Sequence, residues 1–209
     1  MKKIKEEIIM QGFKNWMEQH PKAAKWIREG GLFLVFSYVV TFIKMLLLMF
    51  LPSLFHNAVG DTEWLFPGIP VNMFGVDFKL SIIGNALERG SDGAYLVNSG
   101  LAFTLANLTA IFFGECINFP LQRNVTFRSK GPVLKQALCH FAATIVVFLV
   151  MNLFTCIWNP VTVALISNEA VRNTVSSIVT TVVTGGVAMV IIFAVDKTIF
   201  APGFGEKKE

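Results

Sequence analysis

The sequence predicts an all-α membrane protein: four transmembrane helices arranged as two parallel-repeat hairpins, both termini cytoplasmic, plus an N-terminal interfacial amphipathic helix. Three observations carry this prediction. Four long apolar runs, at about 31–55, 95–119, 134–158 and 173–195, each reach the roughly 20 residues a helix needs to cross a bilayer. Lysine and arginine concentrate in alternate connecting segments. The exits of the second and fourth runs repeat one pattern of aromatics around a cation. A hydrophobic fraction of 54% and a mean hydropathy of +0.59 fit a polytopic protein, and 209 residues suit one compact membrane domain.

Residues 1–29 form the expected cytoplasmic arm. Ile4, Ile8, Phe13, Trp16 and Met17 recur at near-helical spacing, with Lys5, Glu7, Lys14 and Glu18 between them. That pattern suits a helix lying in the membrane interface, or a docking face for a partner protein. Pro21 is expected to end or turn it. Glu6 and Glu7 interrupt the basic start and no apolar core follows, so no secretory signal is visible and the first span is expected to serve as its own insertion signal.

Residues 30–200 form the four-span domain, and 201–209 a cytoplasmic tail. The arm carries Lys2, Lys3, Lys5, Lys14, Lys22, Lys25 and Arg28; the central link carries Arg123, Arg128, Lys130 and Lys135 without an acid; the tail region adds Lys197, Lys207 and Lys208. The loop 56–93 opposes Lys79 and Arg89 with Asp61, Glu63, Asp77, Glu88 and Asp92. The positive-inside rule then places the termini and central link in the cytoplasm and loop 56–93 outside. Within that loop, Phe66-Pro67-Gly68-Ile69-Pro70 reads as a turn, 71–80 as a short hairpin and 80–87 as one or two helical turns.

Ionisable residues inside spans are expensive and usually paired or functional. Lys44, Glu115 and His140 qualify. Counting about 1.5 Å per residue, Lys44 falls in a midplane layer with Asn107, Asn152 and Thr184. Glu115 and His140 lie near the cytoplasmic end, at depths that allow them to pair, and Lys44 and Glu115 are expected more than one helical turn apart. Alternatives remain at this stage: Lys44 could snorkel outward, His140 could be a satisfied core histidine, and Glu115 could cap a helix or pair with Arg123. The stripe Ser177, Thr181, Gly185 and Ala188 is expected to pack against another helix. Cys116, Cys139 and Cys156 lie in spans without ligand spacing and read as small packing residues.

The second run ends Asn118-Phe119-Pro120-Leu121-Gln122-Arg123-Asn124-Val125-Thr126-Phe127, and the fourth carries Phe193, Lys197 and Phe200. Repeated halves are a recurring way to build a site between them. Arg123 belongs to the repeat and its planar fork suits phosphate. Arg128, Lys130 and Lys135 are read first as topology determinants, with Arg128 kept at the edge of the candidate site.

On Asn118, Phe119, Arg123 and Phe127 the chain resembles the GtrA-like family of small four-span proteins. Val125 stands where that family usually has an aromatic, Gln122 where it often has Asn, and Lys44 where an acid is common. The resemblance implies translocation of a polyprenyl-phosphate-linked sugar across the cytoplasmic membrane, for cell-surface polysaccharide or teichoic acid glycosylation, alongside a membrane glycosyltransferase. The expected lipid-phosphate and sugar-binding residues are Arg123, Asn118, Gln122, Lys197 and Arg128; the intramembrane polar set is Lys44, Asn107, Glu115 and His140. A non-transporting anchor or activator of a glycosyltransferase is the alternative, and a small multidrug-type exporter the third reading. No Asp-x-Asp metal motif, P-loop or nucleophile–base pair is present, so neither an enzyme nor a cofactor or metal is expected, and a homo-oligomer would be compatible with a four-helix translocator. The basic residues hug span ends and need only lipid phosphate, so nucleic acid is not expected as a partner.

Overall fold

A computed structural model of the chain describes residues 11–12, 14–90 and 92–205. The arm pattern from Ile4 to Ile8, and Phe13, lie outside the described residues; 14–19 are helical and the helix breaks at His20. The arm helix thus ends directly before Pro21, as expected, and Pro21 opens the next helix. Its missing N–H is harmless in a first turn. Helix α1 (Pro21–Val59) then runs unbroken for 39 residues, about 58 Å at the usual rise. That exceeds the roughly 30 Å hydrocarbon thickness, so α1 carries its first turns beyond the apolar run.

Strands β1 (Trp64–Met73) and β2 (Val76–Asn85) follow as an antiparallel hairpin with Met73 opposite Val76. The two linking residues, Phe74 (φ 53°) and Gly75 (φ 82°), both adopt left-handed backbone, the geometry whose twist matches paired strands. This corrects two expectations. Phe66–Pro70 lies within β1, at register shifts, and 80–87 continues as strand to Asn85. A short apolar run has no periodicity that separates strand from helix, and the ladder to β1 decides it. Hence the all-α expectation holds for the four long helices, while the loop adds a two-stranded sheet. The sheet rests on the third long helix, where the Ser81 N–H lies 3.3 Å from Cys156 Sγ.

Gly100 (φ 60°) begins α2 (Gly100–Leu121); a Cβ there would lie 2.7 Å from the Thr62 carbonyl oxygen. Thr62 O accepts from Leu101 N–H at 2.8 Å, which ties the head of α2 to the end of α1. Pro120 lies inside α2, and a π turn follows at Gln122–Thr126, a widening that accommodates a missing donor. Next come α3 (Val133–Leu165), α4 (Glu169–Thr181), a π turn (Val182–Val187) and α5 (Ala188–Ile199). Asn168 caps α4 by accepting from the Val171 N–H at 3.1 Å. Among the described residues, four helical stretches are long and apolar enough to cross a membrane: α1, Gly100–Thr126, α3 and Ala170–Ile199.

The tight core is the α1–α2 pair. Ala102, Ala106, Ala110, Gly114, Asn118, Gln122 and Thr126 recur every fourth residue and are all buried. Small residues on that face let the backbones approach. By contrast, the apolar windows of α3 and of the fourth span contain no buried residue among the described residues. The small-residue stripe of the fourth span is also corrected: Ser177, Thr181 and Gly185 are exposed, and a Cβ on Gly185 would meet nothing within 4 Å among the described residues.

Candidate functional site: a buried polar chain beside a four-helix cavity

Lys44 Nζ donates to Glu115 Oε1 at 2.6 Å. The expected separation of more than a turn is corrected by two features of the fold. Helix α1 starts well before its apolar run, which shifts the depth count. Side chains also lean toward the N-terminus of their own helix. Since α1 and α2 run antiparallel, Lys44 and Glu115 lean toward one another. Gly114 makes the space: a Cβ there would fall 2.0 Å from Lys44 Cε.

The other Glu115 oxygen, Oε2, accepts from Asn118 Nδ2 at 2.9 Å and meets His140 Nε2 at 3.2 Å. His140 Nδ1 in turn meets Asp196 Oδ1 at 2.7 Å. One polar chain therefore runs through Lys44, Glu115, His140 and Asp196, drawing on all four spans. His140 and Asp196 are fully buried. Both ring nitrogens face carboxylate oxygens, whereas a neutral imidazole has one N–H. Filling both contacts takes one further proton, held by the ring or a carboxyl, and the chain then carries no net charge. Phe119, Phe141 and Phe200 surround the imidazole with centroids 5.6 to 6.1 Å away.

A cavity of about 520 Å³ opens beside Lys44 and Glu115, and all four spans wall it. Its polar wall includes Thr41, Asn107, Thr144, Asn152, Thr155 and Thr184. Lys44, Asn107, Asn152 and Thr184, expected at midplane, thus face a common space. Asn152, Thr155 and Thr184 donate to backbone carbonyls of their own helices. The side-chain amide of Asn107 has no hydrogen-bond partner among the described residues and lines the cavity. The remaining wall is apolar, including Val147, Phe148, Met151 and Ile192.

The basic end, where α1 and α3 begin and α2 and α5 finish, holds the repeated motifs. Phe119 lies 5.9 Å from Phe200, and Phe127 lies 5.9 Å from Phe193. The first ring of each motif thus meets the last ring of the other. The cations cross over likewise. Arg123 Nε donates to Gln136 Oε1 on α3 at 2.9 Å; Lys197 donates to Glu29 Oε2 on α1 at 2.8 Å. Lys197 also sits 3.3 Å from the Trp26 ring centroid, a cation–π contact.

Arg123, Asn118 and Gln122, the residues expected to meet a lipid headgroup, each bond to neighbouring protein groups. Arg123 spends its fork on Gln136, the Gly131 carbonyl (2.9 Å) and Asn124 Oδ1 (2.6 Å), and so clamps the link after the π turn. Gln122 is fully buried, with Nε2 3.2 Å from Asn118 Oδ1, and has no surface to offer a ligand. Asn118 is bound to Glu115 but borders the cavity. Lys197 is matched by Glu29. Arg128 is exposed, with φ 51°, and none of the described residues pairs with it.

Sequence reading did not single out Asp196, Glu29 or Gln136 as site residues. An acid within a turn of a span end was the available signal for the first two. Gln136 carried no separate signal, since its value lies in what it approaches from another helix. No family model matches the chain, and no curated protein or solved structure matches it.

Proposed function

We propose that this protein translocates the polar head of a polyprenyl-phosphate-linked sugar across the cytoplasmic membrane, leaving the prenyl chain in lipid. The observation that carries the reading is the cavity shared by all four spans: its polar groups are uncharged hydroxyls and amides set in an otherwise apolar wall, beside a charge-matched Lys44–Glu115 pair. Its volume lies within the roughly 300–1,000 Å³ of small-molecule sites. Hydroxyl and amide groups suit a sugar, which offers donors and acceptors but no charge. A cation exporter needs an unmatched carboxylate; Glu115 already has Lys44 and His140 as partners. The sparse burial of α3 and the fourth span supports a lateral opening toward lipid.

The crossed motif contacts support two hairpins related by an axis along the membrane normal. With Arg123 and Lys197 at the same end, that end is the cytoplasmic one by the positive-inside rule. The resemblance to GtrA-like proteins at Asn118, Phe119, Arg123 and Phe127 points the same way. A membrane glycosyltransferase would supply or consume the lipid-linked sugar for surface polysaccharide or teichoic acid decoration. The test is a proteoliposome assay in which an outside reagent, periodate or a lectin, reports sugar heads arriving from the inner leaflet. Transport above the protein-free rate is expected. Equal rates with and without protein, in vesicles that hold folded protein, would refute the proposal.

A further inference from the structure

A second cavity, of about 500 Å³, lies at the basic end. It is separate in composition from the first. Lys25, Arg128, Lys130 and Lys197 line it against a single carboxylate, Glu29. That acid is buried and already engaged, by Lys197 at 2.8 Å and Lys25 at 3.6 Å. Arg128 and Lys130 therefore face the cavity with no partner among the described residues. Charge of one sign in a concave site focuses the field and favours an anion.

The backbone adds an independent observation. Arg128 holds φ 51°, an uncommon conformation for a residue with a side chain and one that concentrates at ligand clamps. The link is held in this shape from behind. Arg123 O accepts from the Ser129 N–H at 2.9 Å, and Arg123 Nη2 donates to Gly131 O. Arg123 thus positions the loop that carries the next cations. Phe127 and Phe200, with centroids 5.4 Å apart, contribute an apolar wall beside the charges.

We infer that this cavity binds a phosphate group, with Arg128 and Lys130 as its contacting cations. Arg128 supplies a fork able to donate two hydrogen bonds, and Lys130 a point charge. A phosphate on a lipid and free inorganic phosphate share this chemistry. The inference deepens the transport reading, on which it rests for the lipid source: the phosphate waits here while the sugar enters the neighbouring space.

The experiment uses the full chain in nanodiscs and measures binding of polyprenyl phosphate, uncharged polyprenol and inorganic phosphate. Arg128→Asn with Lys130→Gln removes both charges, and asparagine tolerates the left-handed backbone. Polyprenyl phosphate should bind more tightly than polyprenol, and the double variant should weaken it about tenfold or more, as expected for loss of charge-assisted hydrogen bonds. Lys130→Arg should keep affinity. Inorganic phosphate binding that the double variant abolishes supports the site with a free ion as occupant. Equal binding of polyprenol and its phosphate, or an unchanged double variant of normal thermal stability, overturns it. Intact phosphate binding without vesicle transport would leave this site standing and remove the transport reading.

Discussion

Lys44 and Glu115, 71 residues apart in the chain, meet through a 2.6 Å charge-assisted hydrogen bond between antiparallel helices. The pair both closes the α1–α2 contact and forms the charged corner of the cavity. Breaking a buried pair on one side leaves an uncompensated charge, at a cost of roughly 3–5 kcal/mol. Lys44→Met should therefore lower thermal stability strongly, and Glu115→Gln somewhat less, because an amide can still meet His140. The double variant should be less destabilised than the sum of the two. Additive losses in a detergent unfolding cycle would contradict the coupling.

Gly114 is predicted to be intolerant for a specific reason. Gly114→Ala drives a methyl into the Lys44 stem, whose Cε, Cγ and Cδ would all lie within 2.9 Å. The variant should lose Lys44–Glu115 pairing and fall in stability. Shortening the partner with Lys44→Ala should remove the added penalty, so that Lys44→Ala with Gly114→Ala resembles Lys44→Ala alone. A persistent extra loss in the double variant would place the clash elsewhere.

Arg123 is a positioning residue for the link. Arg123→Gln removes the donors to Gly131 O and Gln136 Oε1, with an expected cost of about 2 kcal/mol. Arg123→Lys cannot restore the fork. Both variants should increase proteolysis or hydrogen exchange across 127–131. Protection equal to wild type would disprove the clamp.

The β1–β2 hairpin offers a pH test. The hydrogen bond from Lys79 holds the Glu63 carboxyl below its ordinary value of 4.5. A lowered folded-state value means the contribution is present above pH 4.5 and lost as pH falls through the folded value. Both side chains are substantially exposed, so its size is under about 1 kcal/mol. Lys79→Met should return Glu63 to the ordinary carboxylate range in a carboxyl-resolved NMR titration. An unmoved Glu63 would exclude Lys79 as the cause.

The four spans were legible because hydropathy integrates over many residues and lipid forbids unpaired backbone. The Glu115–His140 contact was legible from depth alone, since both lie close to span ends. Lys44–Glu115 was not, because run boundaries misjudge where a helix begins and say nothing of side-chain lean. The crossed rings Phe119–Phe200 and Phe127–Phe193 came from a pattern visible in the chain, but the pattern could not tell that each copy inserts into the other. Likewise Arg123 stood out by residue type, yet its use depends on Gln136 and Gly131, which only the fold brings near. The hairpin was half readable: pairing over 71–80 was expected, while Phe66–Pro70 was read as a turn and 80–87 as helical turns, where the structure has strand.

Occupying the cavity is the most direct test of the central claim. Asn107→Phe puts a ring into the cavity from the one lining amide that bonds to no described residue, leaving the Lys44–Glu115–His140–Asp196 chain untouched. In proteoliposomes matched for folded protein, this variant should lose sugar-head transport while still binding polyprenyl phosphate at the basic end. Transport at the wild-type rate through a filled cavity would contradict the account.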